Sequence, residues 1–263
     1  MIKVGVSGAS GRMGRRLISL LAEQSDCGLA CALERPGHPD LGKDAGLVAG
    51  MCELGVPITE QVCGEPDVLL DFSAPEASVD HATECAALGT AVVLGTTGFS
   101  PEQMQKLERD VGARIPLLIA PNMSVGINLL IELVGQVARA LGEQYDVEIV
   151  ETHHRHKKDA PSGTALQLAR TICEALDWDP EQVLNYGRQG VVGERPRRQL
   201  AVHAVRGGDV TGDHTIIFAG EGERIELTHR ASSRDVFAQG AIRAARFLVG
   251  RPPGLYGMRD VLF

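Results

Sequence analysis

Along the first 122 positions, short apolar blocks alternate with stretches in which apolar residues recur at helical spacing. "IKVGVSG" predicts a strand, and Arg12 to Glu23 a helix whose inner stripe carries Leu17, Ile18, Leu20 and Leu21. "GLACALE" is the next strand, and "DVLLDFS" (Asp67 to Ser73) another, followed by a helix opening at "APEAS". "TAVVLGTTG" and "IPLLIAPN" are strands on either side of the helix "SPEQMQKLERDVG", with Ser100 as its N-cap and Pro101 in its first position. Strands that are apolar on both faces and separated by helices predict a parallel sheet covered on both sides.

After Asn122 the pattern changes. "SVGINLLIELVGQVARALG" predicts a long apolar helix, and the alternation in "YDVEIVETHH" predicts a half-solvated strand. "RQLAVHAVR", "HTIIFAG" and "ERIELTHRA" follow as strands of a mixed or antiparallel sheet. The last helix, "SRDVFAQGAIRAARFLVG", suits the outside of the first sheet as well as the second domain. The expected fold class is α/β: an N-terminal Rossmann-like doubly wound parallel sheet over 1–123 plus 233–263, with a second α+β domain over 124–232. No internal repeat or low-complexity tract interrupts it, and "ERPGHPDLGKDAG" is the most irregular piece.

Composition narrows the classes of function. Hydrophobic residues make up 44% and charged residues 23%, as in an ordinary globular protein. A net charge of -8 leaves no global basic field for nucleic acid or an acidic membrane, and 4% aromatics leave little for base stacking. Cys27, Cys31, Cys52, Cys63, Cys85 and Cys173 include no CxxC pair, and their surroundings read as core positions in a reducing compartment. The N-terminus runs straight into a strand, and no apolar run is expected to span a bilayer. The expectation is a cytoplasmic protein with neither nucleic-acid nor membrane partners.

Gly8, Gly11 and Gly14 fall between the first strand and the first helix. Their spacing is GxxGxxG, not the usual dinucleotide fingerprint, but the context is right. Glycines there let backbone approach a pyrophosphate, and the helix start supplies free N–H groups and a positive dipole end. Glu34 and Arg35 end the next strand, where an adenosine ribose would lie. Glu34 could accept from ribose hydroxyls and Arg35 pair with a 2′-phosphate, which suggests tolerance of NADH and NADPH. "LGTTG" and "APNMS" end further strands on the same edge and are candidates for the nicotinamide half. The competing reading of each is an ordinary strand–helix turn.

"ETHHRHKKDAPSGTA", Glu151 to Ala165, gathers His153, His154, His156, Lys157 and Lys158 before a helix start. Neighbouring histidines on a strand point to opposite faces, ligand spacing is lacking and the lysines would repel a cation, so no metal is expected. A solvated charged loop is the plainest alternative. Against it, Pro-Ser-Gly-Thr opens an amphipathic helix whose N–H groups, with the Ser162 and Thr164 hydroxyls, make a pocket for a small anion. Histidine beside it can supply a proton near neutral pH.

Taken in order over essentially the whole chain, "GASGRMGR", "DFSAPEA", "LGTTGFS", "APNMSVGIN", "ETHHRHKKDAPSGTA", "RGGDVTGDHTI", "THRASSRDVFAQGAIRAA" and "GLYGMRDVL" resemble the 4-hydroxy-tetrahydrodipicolinate (dihydrodipicolinate) reductases. The resemblance implies NAD(P)H-dependent reduction of a cyclic dicarboxylate to tetrahydrodipicolinate, in the diaminopimelate route of lysine biosynthesis. It implies catalytic acid roles for His153 and Lys157, and substrate contacts for His154, Ser162, Gly163 and Thr164. Gly8, Ala9, Ser10, Gly11, Arg12, Met13, Glu34, Arg35, Gly95, Thr96, Thr97, Ala120, Pro121, Asn122 and Met123 fall on its cofactor segments. It also implies a homotetramer built through the second domain, which holds the substrate, and closure of one domain over the other. Met123 stands where the family is often aromatic; Thr152 and Lys158 take no role. Another dehydrogenase of amino-acid metabolism would share the glycine loop but not the His-His-x-x-Lys segment. A nucleotide sensor on the same scaffold would not need the acid cluster.

Overall fold

The computed structural model describes residues 1–263. In chain order its elements are β1 (Ile2–Ser7), α1 (Arg12–Ala22), β2 (Cys27–Leu33), α2 (Ala45–Val48), β3 (Ile58–Thr59), β4 (Val68–Asp71), α3 (Pro75–Leu88), β5 (Ala91–Leu94), α4 (Pro101–Lys106) and β6 (Pro116–Ile119). Next come α5 (Val125–Leu141), β7 (Asp146–His153), α6 (Gly163–Leu176), α7 (Pro180–Val183), β8 (Leu184–Asn185), β9 (Leu200–Arg206), β10 (Gly212–Ala219) and β11 (Arg224–Ala231). The chain ends with α8 (Asp235–Leu248), β12 (Gly254–Tyr256) and α9 (Met258–Leu262). Contacts divide it into one unit of Met1–Val125 with Asp235–Phe263, and another of Gly126–Arg234.

The first unit is a seven-stranded sheet in the order β12-β6-β5-β4-β1-β2-β3. Every pairing in it is parallel. Alternate residues of each central strand feed different cores, as a sheet covered on both faces requires. Val68, Leu70 and Val93 pack with α1 and α8, while Leu69, Val92 and Leu94 pack with α3 and the segment after α4. Strand order reverses between β1 and β4, the switch point at which open α/β sheets bind ligands beyond their carboxyl ends. Ser100 caps α4 in a full capping box with Gln103, but the helix widens to a π-helical turn over Leu107–Gly112. That turn draws Leu107, Val111 and Gly112 against the core.

The second unit is a mixed five-stranded sheet, β11-β10-β7-β9-β8, with β7 parallel to β9 and antiparallel to β10. Val147 and Ile149 of β7 join Leu200, Val202, Ile216 and Phe218 under the apolar stripes of α5 and α6. The expectation that no apolar segment could span a bilayer needs correcting. Val125–Gln144, 20 residues with an 18-residue window of mean hydropathy 1.3, is long and apolar enough by length and composition. Here Ile127, Leu130, Val134 and Ala138 put one stripe of it into the core, with Leu129 and Leu133 exposed. The cysteines also differ from expectation. All six are thiols, and four are buried, but Cys52 and Cys63 lie on the surface.

Candidate active site

At the end of β1, Gly8 takes a φ of +74°, and a Cβ on it would meet the Phe72 carbonyl at 3.2 Å. Gly14 is fixed by space: a Cβ there would lie 2.1 Å from the Gly8 oxygen, so α1 can press onto the loop only through a glycine. Gly11 at the N-cap makes no side-chain cap bond, and the first turn holds no acidic residue. The dipole end and first-turn N–H groups of Arg12 and Met13 therefore suit an anion. Other amides of the expected segment are already engaged. Ala9, fully buried, donates to the Leu33 carbonyl (2.9 Å), Ser10 to Glu34 Oε2 (3.2 Å) and Gly11 to the Gly8 carbonyl (2.9 Å). Ala9 thus shapes the loop from inside, and Glu34 also accepts its neighbour's N–H, from Arg35 (3.0 Å).

A pocket of about 540 Å³ opens beside this loop, with Gly8, Gly11, Glu34 and Arg35 on one side and Phe72, Ser73 and Ala74 on the other. The "DFSAPEA" segment behind the second wall was absent from the predicted site, although it ends a strand on the same edge. Beneath it, Asp71 is fully buried and accepts from the Ser73 and Ser78 hydroxyls (2.6 and 2.8 Å), with His81 Nδ1 at 2.7 Å. Burial opposes its charge, yet these hydrogen bonds hold its pKa below the ordinary carboxylate value and carry that of His81 upward.

The expected rim residues after β5 and β6 are divided. Gly95 lies where a Cβ would come 2.1 Å from the Phe72 ring. Thr96 is buried with its hydroxyl 2.7 Å from that of Ser78; Ala120 and Met123 are buried too, whereas Thr97 and Pro121 are exposed. Asn122 accepts the Ser124 N–H (2.9 Å), closing the turn before α5.

In the second unit the chemistry is gathered at the end of β7. Residues 147, 149, 151 and 153 face inward by strand alternation, which carries Glu151 and His153 into the interior. Glu151 is wholly buried, with Oε2 2.5 Å from His153 Nδ1. Arg206 donates to both its oxygens (2.8 and 2.7 Å) and the Ser162 N–H to Oε1 (3.0 Å). Burial alone would raise its pKa, but bonds from His153, Arg206 and Ser162 bring it down to about 2. With Nδ1 taken by Glu151, Nε2 is the free nitrogen of His153; it packs against Gly212, where a Cβ would come within 3.0 Å. His214 stacks edge-on at 5.2 Å, its pKa pushed down to about 4 by burial and by His153.

His154 lies beyond the strand, its N–H bonded to the Val210 carbonyl, and burial and neighbouring cations lower its pKa. Lys157 pairs with Asp159 at 3.0 Å. α6 begins at Gly163, with open space where its Cβ would be. Ser162, expected among the substrate contacts, also has a structural part. It is the helix's N-cap: its hydroxyl accepts from the Ala165 N–H (3.2 Å), lies 3.2 Å from His214 Nε2, and is buried. Gly163 and Thr164, in the first turn, present the helix start. No group of three or more His, Cys, Asp or Glu side chains is placed to hold a metal ion.

Both units fall within matches to known proteins. Residues 2–123 match the family described as dihydrodipicolinate reductase, N-terminus, and residues 126–262 its C-terminus. A 4-hydroxy-tetrahydrodipicolinate reductase of Anaeromyxobacter dehalogenans is 51% identical over 265 aligned residues, covering 100% of this chain and 98% of the relative. Another, from an Anaeromyxobacter species, is 52% identical with the same coverage. Among solved structures, a dipicolinate-bound dihydrodipicolinate reductase from a Paenisporosarcina species is 26% identical with a TM-score of 0.78, each chain covered in full.

Proposed function

The chain belongs to the dihydrodipicolinate reductase family, and on that premise we propose that it uses NADH or NADPH to reduce 4-hydroxy-tetrahydrodipicolinate to tetrahydrodipicolinate, in the diaminopimelate branch of lysine biosynthesis. The observation that carries this reading is the Glu151–His153 pair beside the opening turn of α6, with Lys157 between them in sequence. The nucleotide belongs with the glycine loop, whose uncapped helix start and Cβ-free floor fit a pyrophosphate.

Bound nicotinamide supplies the hydride. The chain's own residues hold the substrate and manage the proton. The first-turn N–H groups of Gly163 and Thr164, with His154, take one substrate carboxylate. Glu151 fixes the His153 ring through Nδ1, leaving Nε2 to face the substrate, while Lys157 brings a fixed cation on a flexible stem. Loss of water from the 4-hydroxy compound gives a conjugated C=C–C=N system; as hydride adds to one of its carbons, electron density moves to the far end. A proton from Lys157 or His153 quenches it there, and nearby positive charge stabilises the negative charge that builds up. Product then carries one hydride and one proton more than the dehydrated substrate.

We place the protein in the cytoplasm, in keeping with six free thiols. We also read it as a homotetramer, supported by the second face of the β11-β10-β7-β9 sheet, where Val150, Thr152, Thr215 and Ile217 are only half buried. The site reading is tested with dipicolinate, a planar dicarboxylate, titrated calorimetrically. Saturable binding that Lys157→Ala weakens at least about tenfold, with NADH binding kept, is expected. A protein that binds NADH but not dipicolinate would remove the substrate assignment.

A further inference from the structure

The pocket beside the glycine loop has a charge pattern that the reduction itself does not require. Four carboxylates line it: Glu34 after β2, Glu60 after β3, and Asp80 and Glu84 on α3. None forms a close ion pair, although His81 lies within Coulombic reach of Asp80 and Glu84, which help carry its pKa upward. Glu34 is occupied by two backbone N–H groups, Glu60 accepts from the Gly37 N–H (3.2 Å) and Glu84 from the Val62 N–H (3.3 Å). Asp80 is exposed and carries no hydrogen bond. Arg35 is the one permanent cation on the lining. His81 is the other basic group there, tied through Nδ1 to buried Asp71 and to the Ser7 hydroxyl (3.1 Å).

Building on the nucleotide reading above, we propose that this acidic wall selects against a phosphate on the adenosine ribose, so that NADH is taken in preference to NADPH, and that Glu60, Asp80 and Glu84 determine the specificity. A ribose 2′-hydroxyl donates to a carboxylate, so the wall suits NADH. A 2′-phosphate monoester carries up to two negative charges and donates nothing once ionised, so the same groups oppose it. Arg35 offsets part of the repulsion, which leaves NADPH as the weaker ligand without excluding it. Glu34, Glu60 and Glu84 each accept a backbone N–H, so these three cannot swing away at little cost when a phosphate arrives. The interaction is Coulombic and partly solvated, so salt must weaken the discrimination, with a screening length of about 10 Å at 0.1 M.

The test is calorimetric binding of NADH and of NADPH to the full chain at low and high ionic strength, for wild type and for Glu60→Gln/Asp80→Asn/Glu84→Gln. The amides keep the acceptors that Gly37 and Val62 use, and Asp80→Asn alone serves as a second variant outside any fold contact. Wild type is expected to bind NADH at least about fivefold tighter at low salt, with the ratio shrinking as salt rises. The triple variant is expected to move the ratio about tenfold toward NADPH, and Asp80→Asn about twofold. Equal affinities in wild type, or a variant that shifts both nucleotides alike, would overturn the filter while leaving the reductase reading intact. Binding of neither nucleotide would overturn both.

Discussion

Two buried carboxylates, Asp71 at the end of β4 and Glu151 two residues before the end of β7, each hold a histidine through Nδ1. Burial of a lone carboxylate costs so much that each survives only through its partners. Glu151→Ala would leave Arg206 partly buried without its carboxylate and the Ser162 N–H without an acceptor. A loss of about 3 kcal/mol is expected, read from urea unfolding followed by Trp178, the single tryptophan, which lies in the second unit's core. An unchanged midpoint would show that Glu151 does not organise the site. At the other pole, Arg35→Ala is expected to weaken NADPH several-fold more than NADH by calorimetry; equal loss would remove Arg35 from the 2′-phosphate. Residue identities in the histidine segment were legible from sequence, but their orientation was not. Ser162 reads as a donor to substrate because hydroxyls before a helix start bind anions; in the fold its oxygen caps Ala165 and meets His214. Glu151 lay in the same stretch and took no role, because burial and pairing with Arg206, 55 residues away, leave no local trace.

At the scale of elements, periodicity performed best where elements are long. The parallel strands β1, β2, β4, β5 and β6, with α1, α3, α6 and the alternating β7, follow from the sequence pattern. α2, β3, the edge strand β8 beside β9, β12 and α9 did not emerge, being two to five residues long and held by their neighbours. The terminal helix, whose pattern suited either sheet, packs as α8 on the first, beside α1, where Gly240 lets it meet the Met123 carbonyl. The most local test concerns α1. Gly14→Ala would drive a methyl to within 2.1 Å of the Gly8 oxygen, so loop and helix must part. It is expected to weaken NADH binding at least about tenfold and to lower thermal stability, because the helix start loses its place beside the loop. An affinity within twofold of wild type would dissociate that packing from nucleotide binding.

At the scale of the molecule, buried charge makes the second unit's stability depend on pH. The unfolded chain protonates His214 near 6.5, but the folded chain resists until about 4. Between those values the unfolded state binds more protons, so stability is full above pH 6.5 and falls as pH drops toward 4. Glu151 adds a second loss between 4.5 and about 2, since its charge is favoured only in the fold. The urea midpoint seen by Trp178 should therefore fall with acid below pH 6.5, and His214→Gln should flatten the first part of that fall. A midpoint constant from pH 7 to 5 would mean that His214 titrates normally.

The proposed division of labour puts nucleotide on the glycine loop and proton delivery at the Glu151–His153–Lys157 cluster. It is tested most directly by following NADH oxidation, with substrate formed in situ from pyruvate and aspartate semialdehyde by the condensing enzyme, in wild type and Lys157→Ala side by side. Substrate-dependent oxidation by wild type is expected, with a turnover about 10² to 10⁴ lower in the variant at an NADH dissociation constant within about twofold. A wild-type protein that binds NADH and leaves it unoxidised, or a variant that loses binding and turnover together, would contradict it.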